Sequence, residues 1–433
     1  MPNGMKLRFA TGSKTLRILS CVFSVLFLFT IGSHGASGGE FWNSEAPLGS
    51  WLRRILPGSI QFEAAYTGEV FSNLSGGLRR ETEYLDNLDV MFTFDVEQLF
   101  GWNGATFFFY GLGNNGGDPG PDNVGAAQGV SNIEAFDTWK LYEAWFEQNL
   151  FDDRFALRFG LYDVNSDFDV IETAGLFLNP SHGIGPDYSQ SGKNGPSIFP
   201  TTSLGARVKV QARDSLYIQA AVLDGVPGDP NNSHGTHIIL GREDGLLVAT
   251  EVTYQMESQN PGDEPYSKLA FGSWFYTKSF DDVQEVDNFE DPVQRTGDHG
   301  FYVLAERTLY REVDDPAQGL AVFARFGVAD TWINSFGSYT GFGWVYTGLI
   351  PGRHKDQVGL ALAHGRHGDR FQKGQAEVGI DVDVHETILE FSYRVQLTPW
   401  LAVQPDVQLI VNPGSDPSVK DAFVLGTRFE VVF

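Results

Sequence analysis

The chain has 433 residues, 42% of them hydrophobic and 14% aromatic, and its 30 Lys and Arg stand against 55 Asp and Glu, a net charge of −25. Such acidity argues against nucleic acid and anionic membrane surfaces as partners. The single cysteine, Cys21, lies within the first 36 residues, so the chain beyond them can form neither a disulfide nor a thiolate centre.

The N-terminus has the layout of a secretory signal peptide. Lys6, Arg8, Lys14 and Arg17 form a basic start, Ile18 to Ile31 is an apolar run, and Gly32, Ser33, Gly35, Ala36 and Ser37 are small. This predicts export with a cut near Ala36, that is, residues 1–36 removed. The run is too short to cross a bilayer as a helix, which takes about 20 residues. Cys21 sits at its front, where a lipoprotein cysteine would not lie. Residues 37–58 are expected to form an N-terminal periplasmic segment, helical only around Trp51–Leu56.

From residue 59 onward the chain alternates. Ile60, Phe62, Ala64 and Tyr66 interleave with Gln61, Glu63 and Thr67. The same period recurs at Val90–Val96, Phe155–Leu161, Leu204–Val210, Leu389–Leu397 and Leu401–Val411. Ten further candidates lie at 105–112, 140–149, 215–224, 245–256, 267–278, 300–311, 318–329, 338–349, 356–366 and 421–433. A period of two is the signature of a strand with two unlike faces. About sixteen such strands, each long enough for a tilted membrane strand, predict a closed antiparallel transmembrane β-barrel over 59–433. Closure removes the edges that such a chain would otherwise expose.

The connections support a membrane barrel over a soluble sandwich. Short turns at Asn149–Asp153, Ala212–Ser215 and Thr398–Trp400 alternate with long Gly-, Asp-, Pro- and Asn-rich loops at 112–139, 163–202, 224–245 and 279–299. Outer-membrane barrels have short periplasmic turns and long external loops. The 35 Phe, 15 Tyr and 9 Trp suffice for two interfacial girdles. The chain ends on Phe433 with Val431, Phe429 and Leu425 on one face. This is similar to the terminal signal that the barrel assembly machinery reads in such proteins, and it points to the outer membrane of a Gram-negative bacterium, in contact with its lipid. The number of copies is left open, a homo-oligomer included.

No motif points to catalysis, a metal or a cofactor. Gly111-Leu-Gly113-Asn-Asn-Gly116 matches a dinucleotide fingerprint, but Gly117-Asp-Pro-Gly-Pro follows it and cannot open the helix that would hold a pyrophosphate. It reads as a loop tip. His364 and His367, three apart on a strand, face opposite sides. His234 and His237 read as loop. No Ser lies in a G-x-S-x-G elbow.

The basic residues of the polar faces carry more. Arg158, Arg207, Lys209, Arg325, Arg394 and Arg428 are expected to point into the lumen, with Asp89, Asp95, Glu390 and Asp406 opposite. Charge facing charge across a narrow pore orders water and polar solutes. Arg and carboxylate hydrogen-bond hydroxyls, and rings such as Trp145 or Trp344 offer flat apolar faces. The loop 163–202 is long for a connection without its own role. Its Asp163, Asp167, Asp169 and Asn179 are expected to fold inward at mid-height and face Arg158, Arg207 and nearby lumen arginines. The solute is a small sugar on this reading. A general diffusion pore and a surface enzyme or adhesin are the alternatives.

The sequence also resembles the carbohydrate-selective porins of the OprB type. The resemblance rests on Leu48-Gly-Ser-Trp51-Leu-Arg53, Tyr66-Thr-Gly-Glu-Val-Phe71 with Gly76-Gly77, and Asp95 followed by Leu99-Phe-Gly-Trp-Asn-Gly-Ala105. It continues through Gly160-Leu-Tyr-Asp163, Phe177-Leu-Asn179, Gly300 to Tyr310, Gly348-Leu-Ile-Pro351-Gly-Arg353 and Gln404-Pro-Asp406 to Gly414. It implies a 16-stranded porin for carbohydrate uptake. Two departures stand out: Leu161 replaces the usual basic residue after the central glycine, and loop 163–202 holds few basic residues, chiefly Lys193.

Overall fold

The structure, a computed structural model, describes residues 56–256 and 265–433. The expected signal peptide, residues 37–55 of the segment after it and nearly all of the short helix expected at Trp51–Leu56 lie outside the described residues. Eighteen strands follow in chain order. They are β1 (Ile60–Ser75), β2 (Thr82–Asp95), β3 (Ala105–Gly116), β4 (Thr138–Leu150), β5 (Phe155–Tyr162), β6 (Ser203–Arg213), β7 (Leu216–Asp224), β8 (Leu246–Met256) and β9 (Ser267–Tyr276). Then come β10 (Ser279–Val286), β11 (Pro292–Thr296), β12 (His299–Arg311), β13 (Gly319–Ala329), β14 (Phe336–Thr347), β15 (Gln357–His367), β16 (His385–Thr398), β17 (Leu401–Val411) and β18 (Ala422–Val432).

All but β10 and β11 close into one antiparallel barrel of sixteen strands. Each strand pairs with its neighbours in sequence, β9 with β12 across the small hairpin, and β1 with β18 to close the wall. The closing register sets Ala65 opposite Val432 and Phe71 opposite Gly426. Every candidate strand of the sequence corresponds to one of these sixteen, with ends that differ by a few residues.

Alternation explains the wall. On β12 the outward Phe301 and Val303 are exposed, while the inward Tyr302, Leu304 and Glu306 are buried. Phe271, Phe342, Leu389, Phe391 and Leu425 continue the outward apolar surface. In hydrocarbon only a closed sheet satisfies every backbone group of the wall. Connections alternate between a short-turn end, as at 214–215 and 399–400, and a long-loop end, as at 117–137, 163–202 and 225–245.

Four readings are corrected. First, β1 and β2 run well beyond their predicted ends, because above mid-height the apolar residue turns inward: Phe71 is fully buried while Ser72 faces out. Second, the loop 279–299 contains the β10–β11 hairpin, paired from Ser279 with Thr296. Third, a helix stands at Asp369–Glu377, where no helical period was read; none of its residues is buried, so no apolar stripe marked it. Fourth, Gly111–Gly116 is the end of β3 and not a loop tip, since β2 and β4 pair with it on both sides. A π-type turn at Pro119–Val124 follows it, without a side-chain cap.

Candidate functional site: a partitioned lumen

Loop 163–202 runs along the inner wall, and inward side chains hold its backbone strand by strand. Gln219 of β7 donates to Asp167 O at 2.7 Å, and Asp169 N donates to Glu251 of β8 at 3.0 Å. Lys268 of β9 donates to Val170 O at 2.7 Å, and Thr173 N donates to Glu306 of β12 at 2.6 Å. Across the lumen, Leu178 N and Asn179 N donate to the two oxygens of Glu390 on β16, at 2.6 and 3.0 Å. A loop that leaves water must find partners for its N–H groups, and a buried carboxylate must find donors. Each meets the need of the other here.

Beneath this rail lies an apolar mass. Phe168, Leu176, Phe177 and Tyr188 of the loop pack on Trp274, Tyr302, Leu304 and Phe323 of the wall. Arg325 of β13 clamps it. Its Nε and Nη2 donate to Asp169 at 2.8 and 2.6 Å, and its Nη1 donates to Asp187 at 2.7 Å. The guanidinium is 1% exposed and lies 5.4 and 5.3 Å from the ring centres of Tyr302 and Tyr339. Gly327 makes room for it: a Cβ there would stand 2.0 Å from Asp187 Oδ2. His182 is buried nearby, and burial lowers its pKa to about 3. It is therefore neutral beside Glu390 at 3.7 Å.

A second infolded loop, 117–137, fills the neighbouring sector. Ala127 N and Gln128 N donate to Glu386 of β16, both at 2.8 Å, and Ser131 Oγ donates to Glu69 of β1 at 2.5 Å. Val124, Ala126 and Val130 pack on Phe71, Ile388, Ile410 and Val424.

A cavity of about 850 Å³ lies between the two loops and the inner faces of β3 and β4. Tyr110, Tyr142, Glu143, Asp163, Asn165 and Ser181 are among its walls. The rings of Tyr110 and Tyr142 meet edge to face at 4.9 Å. Their hydroxyls donate to Asp89, at 2.6 Å, and to Asp163. Burial raises the Asp163 carboxyl, against the Tyr142 hydroxyl and the Asn165 N–H that donate to it. One step nearer the short-turn end, Phe108 stacks on Trp145 at 4.8 Å and 23°. The Arg158 guanidinium lies 4.0 Å over the indole, whose Nε1 donates to Glu143 at 3.0 Å.

The predicted site residues are spread over several places. Arg158, Arg207 and Asp167 come together: Asp167 accepts from Arg158 at 2.8 Å and Arg207 at 2.9 Å, and Glu147 accepts from the same pair at 2.8 and 2.5 Å. Asp163 lies on the cavity wall. Arg428 bridges Glu69 to Asn132 of loop 117–137, and Arg394 pairs with Glu430 at 3.0 Å. Arg325 and Arg207 are buried, at 2% exposure each.

Asn179 does not face Arg158 and Arg207. Its Nδ2 donates to Gly129 O at 2.9 Å, and its Oδ1 caps the turn at Pro180 by accepting from Ser181 N at 3.1 Å. Glu390 and Asp406 do not confront arginines either. Glu390 takes the loop N–H groups, and Asp406 accepts from Ser392 at 2.5 Å. Asp95 caps the short helix Val96–Phe100. The anchoring acids Glu69, Glu251, Glu306 and Glu386 were not singled out. Their signal was an acid at an inward strand position, but their partners lie far along the chain.

A closed antiparallel barrel, apolar outside, with two loops folded into its lumen, is the architecture of the porin class. The family model described as carbohydrate-selective porin, OprB family, matches residues 79–433. The chain belongs to that family, and it is an outer-membrane porin through which carbohydrates diffuse into the periplasm of a Gram-negative bacterium. It is similar to Porin B of Pseudomonas aeruginosa, at 28% identity over 96% of this chain and 98% of that protein. It is also similar to the putative porin QuiX of Acinetobacter baylyi, at 22% identity over 93% of this chain and 97% of that one. The high-pH structure of Pseudomonas putida OprB shares the fold with a TM-score of 0.79, at 22% identity over 92% of this chain and all of that one.

Proposed function

We propose that sugars cross along the β3–β5 side of the lumen, past Tyr110, Tyr142, Glu143 and Asp163, and then over the Phe108–Trp145–Arg158 stack. The observation that carries this reading is the 850 Å³ cavity, whose walls alternate ring faces with hydrogen-bonding groups. A sugar offers both surfaces. Its C–H faces suit rings, and its hydroxyls exchange water for protein partners at small net cost. Among the eight predicted site residues, Arg158, Asp163 and Arg428 border the route. Asp167 and Arg207 set the pitch of the loop beside it. Arg325 and Asn179 fix the loop where no solute reaches, and Arg394 is held by Glu430. Residues 163–202 act as the constriction loop.

The rest of the reading follows. The protein catalyses nothing. Residues 1–36 are removed on export, and 37–58 stay periplasmic. Phe433 is read by the assembly machinery. Lipid surrounds the wall, and copies associate as a homo-oligomer. Purified protein in planar bilayers, followed by liposome swelling with a panel of sugars, tests the function. Discrete conductance steps and faster swelling with hexoses than with amino acids of similar mass are expected. Equal swelling with all solutes of one size would make the pore a general one and overturn the selective route.

A further inference from the structure

We propose that a small chamber at the outer mouth, beside β4, binds the carboxylate of a sugar acid. The chamber exists because β5 is short. The last pair between β4 and β5 is Ala144 with Leu161, so residues 138–143 of β4 have no strand on that side. The loop 225–245 closes the gap. Thr236 Oγ1 accepts from Leu141 N at 2.7 Å and donates to Leu141 O at 2.9 Å, and Gly235 N donates to Thr138 Oγ1 at 3.0 Å. Between this loop, β4 and the return of loop 163–202 lies a cavity of about 180 Å³. That is room for about six waters at ~30 Å³ each, or one sugar ring.

Lys140 lines this chamber and is only 9% exposed. Its ammonium donates to Thr201 Oγ1 at 3.1 Å and lies 4.9 Å from the ring centre of Phe136. Lys268 and Lys278 have Glu306 and Glu243 as partners. Among the described residues no carboxylate lies within 4.0 Å of Lys140. In a chain of net charge −25, a buried cation without an anion is an exception. Buried charges are paired, and one hydroxyl with one ring face is a weak substitute for a counter-ion.

The rest of the lining suits an anion on a sugar. Phe136 and Phe199 offer ring faces, while Asn232 and His237 add polar groups. The one carboxylate in the lining, Asp229, is engaged by its own turn, accepting from Asn231 N at 2.9 Å. A bound carboxylate would supply the missing counter-ion, and the sugar ring would cover the phenyl faces. The site rests on the sugar route proposed above only for the choice of a sugar acid over other small carboxylates.

The test is calorimetric titration of the folded, detergent-solubilised protein with glucuronate, glucose and inorganic phosphate, beside Lys140→Met and Lys140→Arg. The wild type should bind glucuronate at least tenfold more tightly than glucose, with affinity falling as salt rises. Lys140→Met should lose that preference, and Lys140→Arg should keep it, which separates charge from folding. No glucuronate binding by the wild type, or equal binding by Lys140→Met, would overturn the site. Phosphate competing as well as glucuronate would overturn the assignment to a sugar acid. Titration does not need a conducting pore, so a failed sugar route would leave this result standing.

Discussion

The two sides of the lumen are built from the same kinds of residue and used in opposite ways. On the β7–β16 side, inward carboxylates such as Glu251, Glu306 and Glu390 face backbone N–H groups of loop 163–202, and apolar side chains fill the space between. On the β3–β5 side, the carboxylates face hydroxyls, indole and guanidinium groups, and a cavity remains. The difference lies in what satisfies the acid. A backbone donor fixes an acid and a loop together. A side-chain donor leaves the acid within reach of solutes. Charge in a pore wall is therefore not by itself a sign of solute contact.

The largest test of this contrast removes the filling. Deleting residues 170–190 takes away the segment that carries Phe177, Tyr188 and the wall's partners Thr173, Leu178 and Asn179. Single-channel conductance should rise severalfold, and swelling rates should lose their preference among sugars. Unchanged conductance would mean that the loop does not limit the pore.

The next test breaks the clamp alone. Arg325→Leu leaves Asp169 and Asp187 buried without their cation. Removing one partner of a buried ion pair costs about 3–5 kcal/mol. The barrel has many other hydrogen bonds, so the loss should appear in the loop. Proteolysis within 163–202 should accelerate, and conductance should become larger and noisier, while the heat-resistant mobility of the barrel on gels stays. Silent behaviour in both assays would show that the hydrophobic packing holds the loop without the clamp.

Much of this architecture was legible. All sixteen wall strands could be read because lipid demands an apolar outward row whatever lies within. The reading failed where the lumen ceases to be wet. At Phe71 the inward row turns apolar to meet the second loop, so the alternation that marked β1 loses its contrast. The helix Asp369–Glu377 buries no face and leaves no stripe. The site was legible in part. Asp167 with Arg158 and Arg207 followed from inward parity and a nearby loop acid. Asn179 with Glu390 did not, because a bond to a backbone N–H more than two hundred residues away leaves no trace in residue type.

A smaller effect separates an anchor acid from a passage acid. Glu390→Gln keeps the shape but turns one of the two oxygens that accept from Leu178 N and Asn179 N into an amide donor. Leaving a buried donor without its acceptor costs about 1–3 kcal/mol. Hydrogen exchange at Leu178 and Asn179 should accelerate at least tenfold, with sugar flux unaltered. A change in sugar preference without a change in exchange would move Glu390 to the passage side of the comparison.

The smallest expected change lies on the open side. Trp145 is packed between Phe108 and Arg158, and its indole nitrogen is held by Glu143. Trp145→Leu would remove the flat face while leaving apolar bulk in the wall. The Arg158 guanidinium keeps Glu147 and Asp167, so the loop should stay docked and conductance in salt should hardly move. A ring contact is worth about 0.5–1.5 kcal/mol beyond area, which corresponds to a few-fold change in how long a hexose dwells in the pore. Current noise in the presence of glucose reads that dwell time directly. A shorter dwell at unchanged salt conductance would place the sugar on Trp145. An unchanged dwell would leave the tyrosine pair, Tyr110 and Tyr142, as the surface that carries the preference, because they supply both ring faces and hydroxyls on that wall.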